Sequence, residues 1–554
     1  MTDWKDATIP QMVNGLRRDR RHAPAIVFRD RTTSFGEMAD LADRISAYLV
    51  TAGLAPGDRV VVLLPPSDTW ASIHYGVIGA GCLIVPVNLA FKNDELRFVL
   101  KQSQARCIIA ADINKGDDLA ERLEQILPAL AAAETTGRIV SPDFPVLERA
   151  VLVSTGNGPR GSWRPANEML TFALSAQVRD ELDRRQEALK PDHSCAVVYT
   201  SGSTSFPKPA LLHHKGLMDG AWWYGAGSNI RPDERILGFA PTFHVSGISA
   251  GMMVPHLRGL PIWLLDGFEP GAALDLIEKE RITMFSGFDT MFVSLLRHAT
   301  FAPKRVRSVR SLRMATGPAM YDRVRAAFPG LEVTTRCYAM TETCGPSAVT
   351  YPDMRSLDAV KYSNGVPVPD MEIRITDVST GQDMPAGKTG EIRLRGPALF
   401  NGYLDMEAET RAAFDENGWF RTGDLGHVDA AGLLYLGGRL KQMIKTGGEN
   451  VSEREIEIFL EDKVEGVSLA QVVGIPDPLW GEAVVAFVEN LADVTLNELA
   501  VRTTCKAGLA NFKVPKRIFL IDGTDWPRNE VGKISKEALI AQAVTRIAAE
   551  APTA

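Results

Sequence analysis

From residue 59 onward, short apolar runs alternate with stretches whose apolar residues recur every three or four positions. The runs at 59–64 (RVVVLL), 83–87 (LIVPV) and 107–110 (CIIA) read as buried strands, with helices at 68–81, 93–102 and 118–127. In the second helix the apolar stripe is Leu96, Val99 and Leu100. Strands alternating with helices of this length predict parallel βαβ units. A polar segment at 156–190, with one helix near 173–188, connects this part to the next. The alternation resumes with strands at 236–240, 260–265, 282–285, 312–315 and 332–338 and a helix at 272–280. Asp289 is placed to cap a further helix that carries Met291, Leu295 and Leu296.

Beyond residue 366 the texture changes. Short alternating strands separated by Gly, Asn and Asp turns, such as 391–395 (EIRLR), predict a β-rich subdomain over 366–436. After a turn at 437–441 comes a small α+β unit. Ser452–Glu455 forms a capping-box pattern ahead of Ile456, Phe459 and Leu460, followed by strands at 470–475 and 483–488 and a helix at 496–507. The fold class is therefore α/β: a large N-terminal domain (1–438) of βαβ subdomains plus the β-rich one, a hinge at 439–442, and a small C-terminal α+β domain at 443–554.

With 554 residues, the chain needs more than one core. A net charge of −7 argues against a nucleic-acid partner, which would call for a basic face. The six cysteines are scattered without a Cys-x-x-Cys pair, and several lie in or beside apolar runs, as reduced thiols in a cytoplasmic protein do. No signal-peptide pattern opens the chain, and no apolar run approaches the roughly 20 residues of a membrane span.

The stretch Tyr199–Pro209 (YTSGSTSFPKP) follows a short apolar run and packs five hydroxyl residues, a glycine and a lysine into a few positions. Donors clustered with a positive charge suit a polyanion such as a triphosphate, and an ordinary Ser/Thr turn has the same composition. It is not a Walker A loop, which ends its turn in Gly-Lys-Ser/Thr. Five more segments follow in order: 241–247 (PTFHVSG), 338–343 (YAMTET), 419–424 (WFRTGD), 438–450 (GRLKQMIKTGGEN) and 527–533 (PRNEVGK). Together with the loop they resemble the AMP-forming acyl-CoA synthetases, the superfamily that includes adenylation domains and luciferase. The resemblance spans about residue 30 to 536.

That resemblance implies activation of a carboxylic acid by ATP and Mg²⁺, with pyrophosphate release, then transfer to CoA. Joining a carboxylate to a triphosphate brings two anions together, so catalysis must position them and neutralise charge. By resemblance, Thr200, Ser201, Gly202, Ser203, Thr204 and Lys208 cradle the phosphates. Glu342 holds Mg²⁺ with Thr204, and Thr341 contacts the α-phosphate. Tyr338, with Ala339 and Met340, lies against adenine beside Gly317, Pro318 and Ala319, and Asp424 with Arg439 takes the ribose. Lys533 enters from the small domain to bridge carboxylate and phosphate. His244 stands at the acid pocket with Val245, Gly247, Phe288 and Met291, while Lys445, Gly447, Gly448 and Glu449 line the CoA tunnel.

Several positions depart from the pattern. Ser205 and Pro209 replace glycines of the loop, Gln442 stands where the hinge usually has an acidic residue, and Asp289 stands where a proline is common. Phe243-His244, in place of Phe-Asp, argues against an α-amino acid substrate. Trp222, Trp223 and Tyr224 are candidates for an aromatic cavity or for core filling. The expected substrate is a medium-chain or aryl acid. An acyl carrier protein as acceptor, a homodimer, and an inactive nucleotide-binding regulator stay open.

Overall fold

The computed structural model describes residues 4–132, 138–154, 161–200, 207–239, 241–354, 357–440, 443–446, 449–478, 480–491, 494, 496–509, 511–529 and 533–550. Two seven-stranded sheets form the frame of the large domain. In one, Arg59–Leu63 lies between Leu83–Pro86 and Cys107–Ala111, all parallel. Its edge is the antiparallel pair Ser194–Thr200 and Lys208–His213. The other runs from Val333–Thr335 through Ser311–Ala315, Met284–Phe288, Ile236–Gly238 and Ile262–Leu264 to Pro24–Phe28, again parallel, with Arg31–Ser34 closing the edge antiparallel.

The run of valines in Arg59–Leu63 is buried on both faces, which is why it shows no alternation. Helices Phe35–Thr51, Trp70–Gly79 and His214–Gly227 fill the space between the sheets, and residues from both sheets join one apolar cluster with them. The β-rich part holds a four-stranded antiparallel sheet, Glu372–Thr376, Gly390–Arg395, Phe420–Val428 and Leu434–Arg439. The small domain has its own sheet, built on the long hairpin Val467–Asp477 and Gly481–Asn490, and its own apolar clusters.

Three local expectations change. The single strand at 332–338 is two: Val333–Thr335 ends a parallel sheet, and Cys337–Met340 turns into a separate antiparallel one. Phe288, not Asp289, occupies the N-cap of helix Asp289–Arg297, and the Asp289 carboxylate bonds elsewhere. Only half of the expected capping box forms: Ser452 Oγ accepts from Glu455 N at 3.3 Å, while the Glu455 carboxylate takes Lys513 at 2.5 Å.

Candidate active site

Tyr338 and Asp424 come from different sheets and meet at the mouth of the cleft between the domains. The Tyr338 hydroxyl donates to Asp424 Oδ2 at 2.7 Å, and Arg439 Nε lies 3.0 Å from Oδ1. Asp424 and Arg439 are directly opposed in the register of their hairpin, so the ion pair follows from strand pairing. Burial raises the Asp424 pKa, and the Arg439 charge and the Tyr338 hydrogen bond oppose that rise. A cavity of ≈ 340 Å³ opens here, with Tyr338, Ala339, Asp424, Leu436 and Arg439 on one side and Glu453, Arg454, Glu457 and Lys536 of the small domain on the other. An aromatic ring, an apolar face at Leu436 and a carboxylate within one cavity fit a nucleoside.

Glu342 sits in a short 3-10 turn, Thr341–Thr343, directly after strand Cys337–Met340. Its carboxylate is buried, and Oε1 accepts from the Tyr403 hydroxyl at 2.9 Å. Burial raises its pKa, with that hydrogen bond in opposition. Lys208 Nζ lies 4.9 Å from the centre of the Tyr403 ring, so lysine, tyrosine and glutamate form one group. Thr200 pairs with Lys208 in the edge hairpin, and Pro209 lies on the edge strand, where a missing N–H is tolerated. Tyr403 is the functional neighbour that sequence reasoning missed; the Asn-Gly turn before it is the only local signal.

Among the described residues no group of three or more His, Cys, Asp or Glu side chains is placed to hold a metal. A lone buried carboxylate beside a lysine fits Mg²⁺, which takes one or two carboxylates and completes its shell with phosphate oxygens and water.

Lys533 N donates to Asn529 Oδ1 at 3.0 Å and Asn529 N to the Lys533 carbonyl, next to the Arg528–Ile534 bridge. The Lys533 side chain reaches solvent, and its pKa is lowered by the surrounding protein and then by the Arg439 charge. The His244 pKa is pushed down to about 4 by burial and then by the Lys533 charge, so the imidazole is neutral near pH 7. Lys533 of the small domain is thus within electrostatic reach of His244 of the large domain. His244 accepts backbone bonds from Gly247 and Ile248 and leads into a π-helix, Ser246–Met253. Such helices are rare and collect at functional sites.

The acid-pocket candidates divide. Val245 and Gly247 are buried at the start of that helix. Met291 is core filling, packed among Phe285, Phe292 and Phe328, and Phe288 packs at the edge of the same cluster. Trp222 stacks on Trp4 with ring centres 4.8 Å apart, and the Tyr224 ring lies under Arg313. Gly317 and Pro318 open helix Pro318–Ala327. Ser201, Gly202, Ser203, Thr204, Ser205, Gln442, Gly447 and Gly448 lie outside the described residues, as do the side chains of Ala319, Lys445 and Glu449.

The model of the AMP-binding enzyme family matches residues 16–404, and that of the AMP-binding enzyme C-terminal domain matches residues 457–533. The chain belongs to the AMP-binding enzymes. It is an adenylate-forming enzyme of the acyl-CoA ligase class, which uses ATP, Mg²⁺ and CoA. It is 31% identical over 539 residues to the 3-[(3aS,4S,7aS)-7a-methyl-1,5-dioxo-octahydro-1H-inden-4-yl]propanoyl:CoA ligase of Mycobacterium tuberculosis, covering 96% of this chain and 98% of the relative. It is 30% identical to the mitochondrial medium-chain acyl-CoA ligase of Danio rerio, covering 97% of this chain and 88% of that one. Among solved structures, ATP-bound MatB from Rhodopseudomonas palustris superposes with a TM-score of 0.77 at 25% identity, covering 96% of this chain and 98% of that one.

Proposed function

We propose that this enzyme adenylates a medium-chain or aryl carboxylic acid and passes the acyl group to CoA, with Lys533 as the mobile cation of the first step. The observation that carries this is that Lys533 of the small domain lies within electrostatic reach of His244 of the large one and of Arg439. There its ammonium draws carboxylate and α-phosphate oxygens together, while neutral His244 adds no competing charge. Glu342, braced by Tyr403, would hold Mg²⁺, which neutralises phosphate charge when bound. Tyr338 and Asp424 would orient the nucleoside, Thr341 the α-phosphate, and Thr200 and Lys208 the outer phosphates.

The apolar positions Val245 and Ile248 beside His244, and relatives named for medium-chain and ring-bearing acids, support the choice of substrate. We take 1–438 as the adenylation domain, 439–442 as the hinge and 443–554 as the small domain, on the strength of their separate cores. Six free cysteines, five of them buried, support a reducing, cytoplasmic setting. Among the described residues no helix is long and apolar enough to cross a membrane.

The test is pyrophosphate release over a panel of acids, with and without CoA. Acid-dependent release followed by thioester formation is expected. Release without any thioester would move the acceptor to a carrier protein, and no release with any acid would leave a nucleotide-binding regulator.

A further inference from the structure

Asp289 Oδ1 accepts from the backbone N–H of Gly317 at 3.1 Å, reaching from helix Asp289–Arg297 to the start of helix Pro318–Ala327. Gly317 has φ −69° and ψ 164°, a conformation open to any residue, so the backbone does not require glycine. What a side chain there would meet is the small domain. A Cβ at Gly317 would lie 2.3 Å from Glu461 Oε2 and 3.1 Å from Arg454 Nη2.

Arg454, Glu457 and Glu461 share one face of helix Glu453–Lys463. Strand Val467–Asp477 braces the two acids: Glu457 Oε1 accepts from Val472 N at 3.1 Å and Glu461 Oε1 from Ala470 N at 3.2 Å. Arg454 is held between them, 3.2 Å from Glu457 and 3.9 Å from Glu461. Its guanidinium thus arrives at Gly317 already oriented, within electrostatic reach of Asp289. A second guanidinium, Arg336, acts on Asp289 from the large domain, and its Nε and Nη1 find no hydrogen-bond partner among the described residues. Desolvation raises the Asp289 pKa, and the charges of Arg454 and Arg336 oppose that rise.

We propose that Asp289 and Arg454 are coupled positioning residues: Asp289 fixes the Gly317 segment from the large domain, and Arg454 completes the charge around it when the small domain docks. Holding of the nucleotide segment and docking of the small domain then become one event. The inference rests on the nucleotide site proposed above, together with the place beside adenine that the family resemblance implies for Gly317. A helix-first-turn aspartate and an i, i+3 ion pair would otherwise explain each residue separately and predict no coupling between them.

The test uses the full-length enzyme and acid-dependent pyrophosphate release at varied ATP. Asp289→Asn and Arg454→Ala should each raise the KM for ATP about tenfold, with the double variant no worse than the worse single. Arg454→Lys should recover most of the loss. Gly317→Ala should raise the same KM, and adding Glu461→Ala should relieve it. Additive losses, an unmoved KM, or no relief by Glu461→Ala would overturn the pairing. Asp424→Asn separates the two claims. If it leaves the KM for ATP unmoved, the nucleotide site itself is misplaced. If it raises the KM and Arg454→Ala does not, only the pairing fails.

Discussion

Tyr403 donates its hydroxyl to Glu342 at 2.9 Å, so a carboxylate close to the edge strand Lys208–His213 is oriented by a residue from the next subdomain. The same tyrosine ring receives the Lys208 ammonium. One aromatic side chain therefore fixes both a cation and an anion. Tyr403→Phe keeps the ring and removes the donor. The Mg²⁺ concentration for half-maximal activity should rise about tenfold, as for partners that orient metal ligands elsewhere. An unchanged Mg²⁺ requirement in a titration of pyrophosphate release would detach Tyr403 from the metal.

Tyr338→Phe leaves Asp424 Oδ2 without the donor it has at 2.7 Å. The expected loss of stability is about 1–3 kcal/mol, because a buried acceptor loses its partner. Denaturant unfolding checks this, and saturating AMP should mask part of it if ribose hydroxyls replace the lost donor.

Lys533→Ala should lower adenylation by about 10²–10³-fold, the scale of removing one group that stabilises developing charge. ATP binding, followed by calorimetry, should survive. Because burial lowers the Lys533 pKa, the alkaline loss of activity in the parent enzyme should begin below the ordinary lysine value of about 10.4. Undiminished adenylate formation by the alanine variant would remove Lys533 from its assigned role.

Burial pushes Glu461 up to about 8. The folded protein therefore holds this proton over a range in which the unfolded chain, with a value near 4.3, has already released it. Stability should fall as pH rises from about 4.3 to 8 and then level off, since the folded state binds more protons throughout that window. In Glu461→Gln that contribution should vanish. Denaturation midpoints measured across the window decide it, and parallel slopes in parent and variant would show that Glu461 does not titrate there.

Much of the frame was legible because parallel strands declare themselves as uninterrupted apolar runs. Arg59–Leu63, Leu83–Pro86 and Cys107–Ala111 appear where the runs lie. Boundaries failed where a strand changes sheets, as between Thr335 and Cys337, since both pieces carry the same β-forming residues. The site segments were legible as ordered motifs, but their cross-links were not. Asp289 looks like a helix cap from its neighbours alone, and its bond to Gly317 depends on two helices meeting in space. Tyr403 and Arg454 escaped for the same reason: each acts on a residue far away in the chain.

The cavity beside Tyr338 has walls from two separately cored domains. Charged contacts such as Lys361 with Asp462 at 3.5 Å and the Arg297–Glu489 pair join the large and small domains. Each domain can then melt on its own, and calorimetry of the free enzyme should show two heat-absorption peaks. A nucleotide that touches both walls ties the domains into one cooperative unit. The peaks should merge as it is added, and the concentration at which they do so measures closure of the enzyme without any turnover.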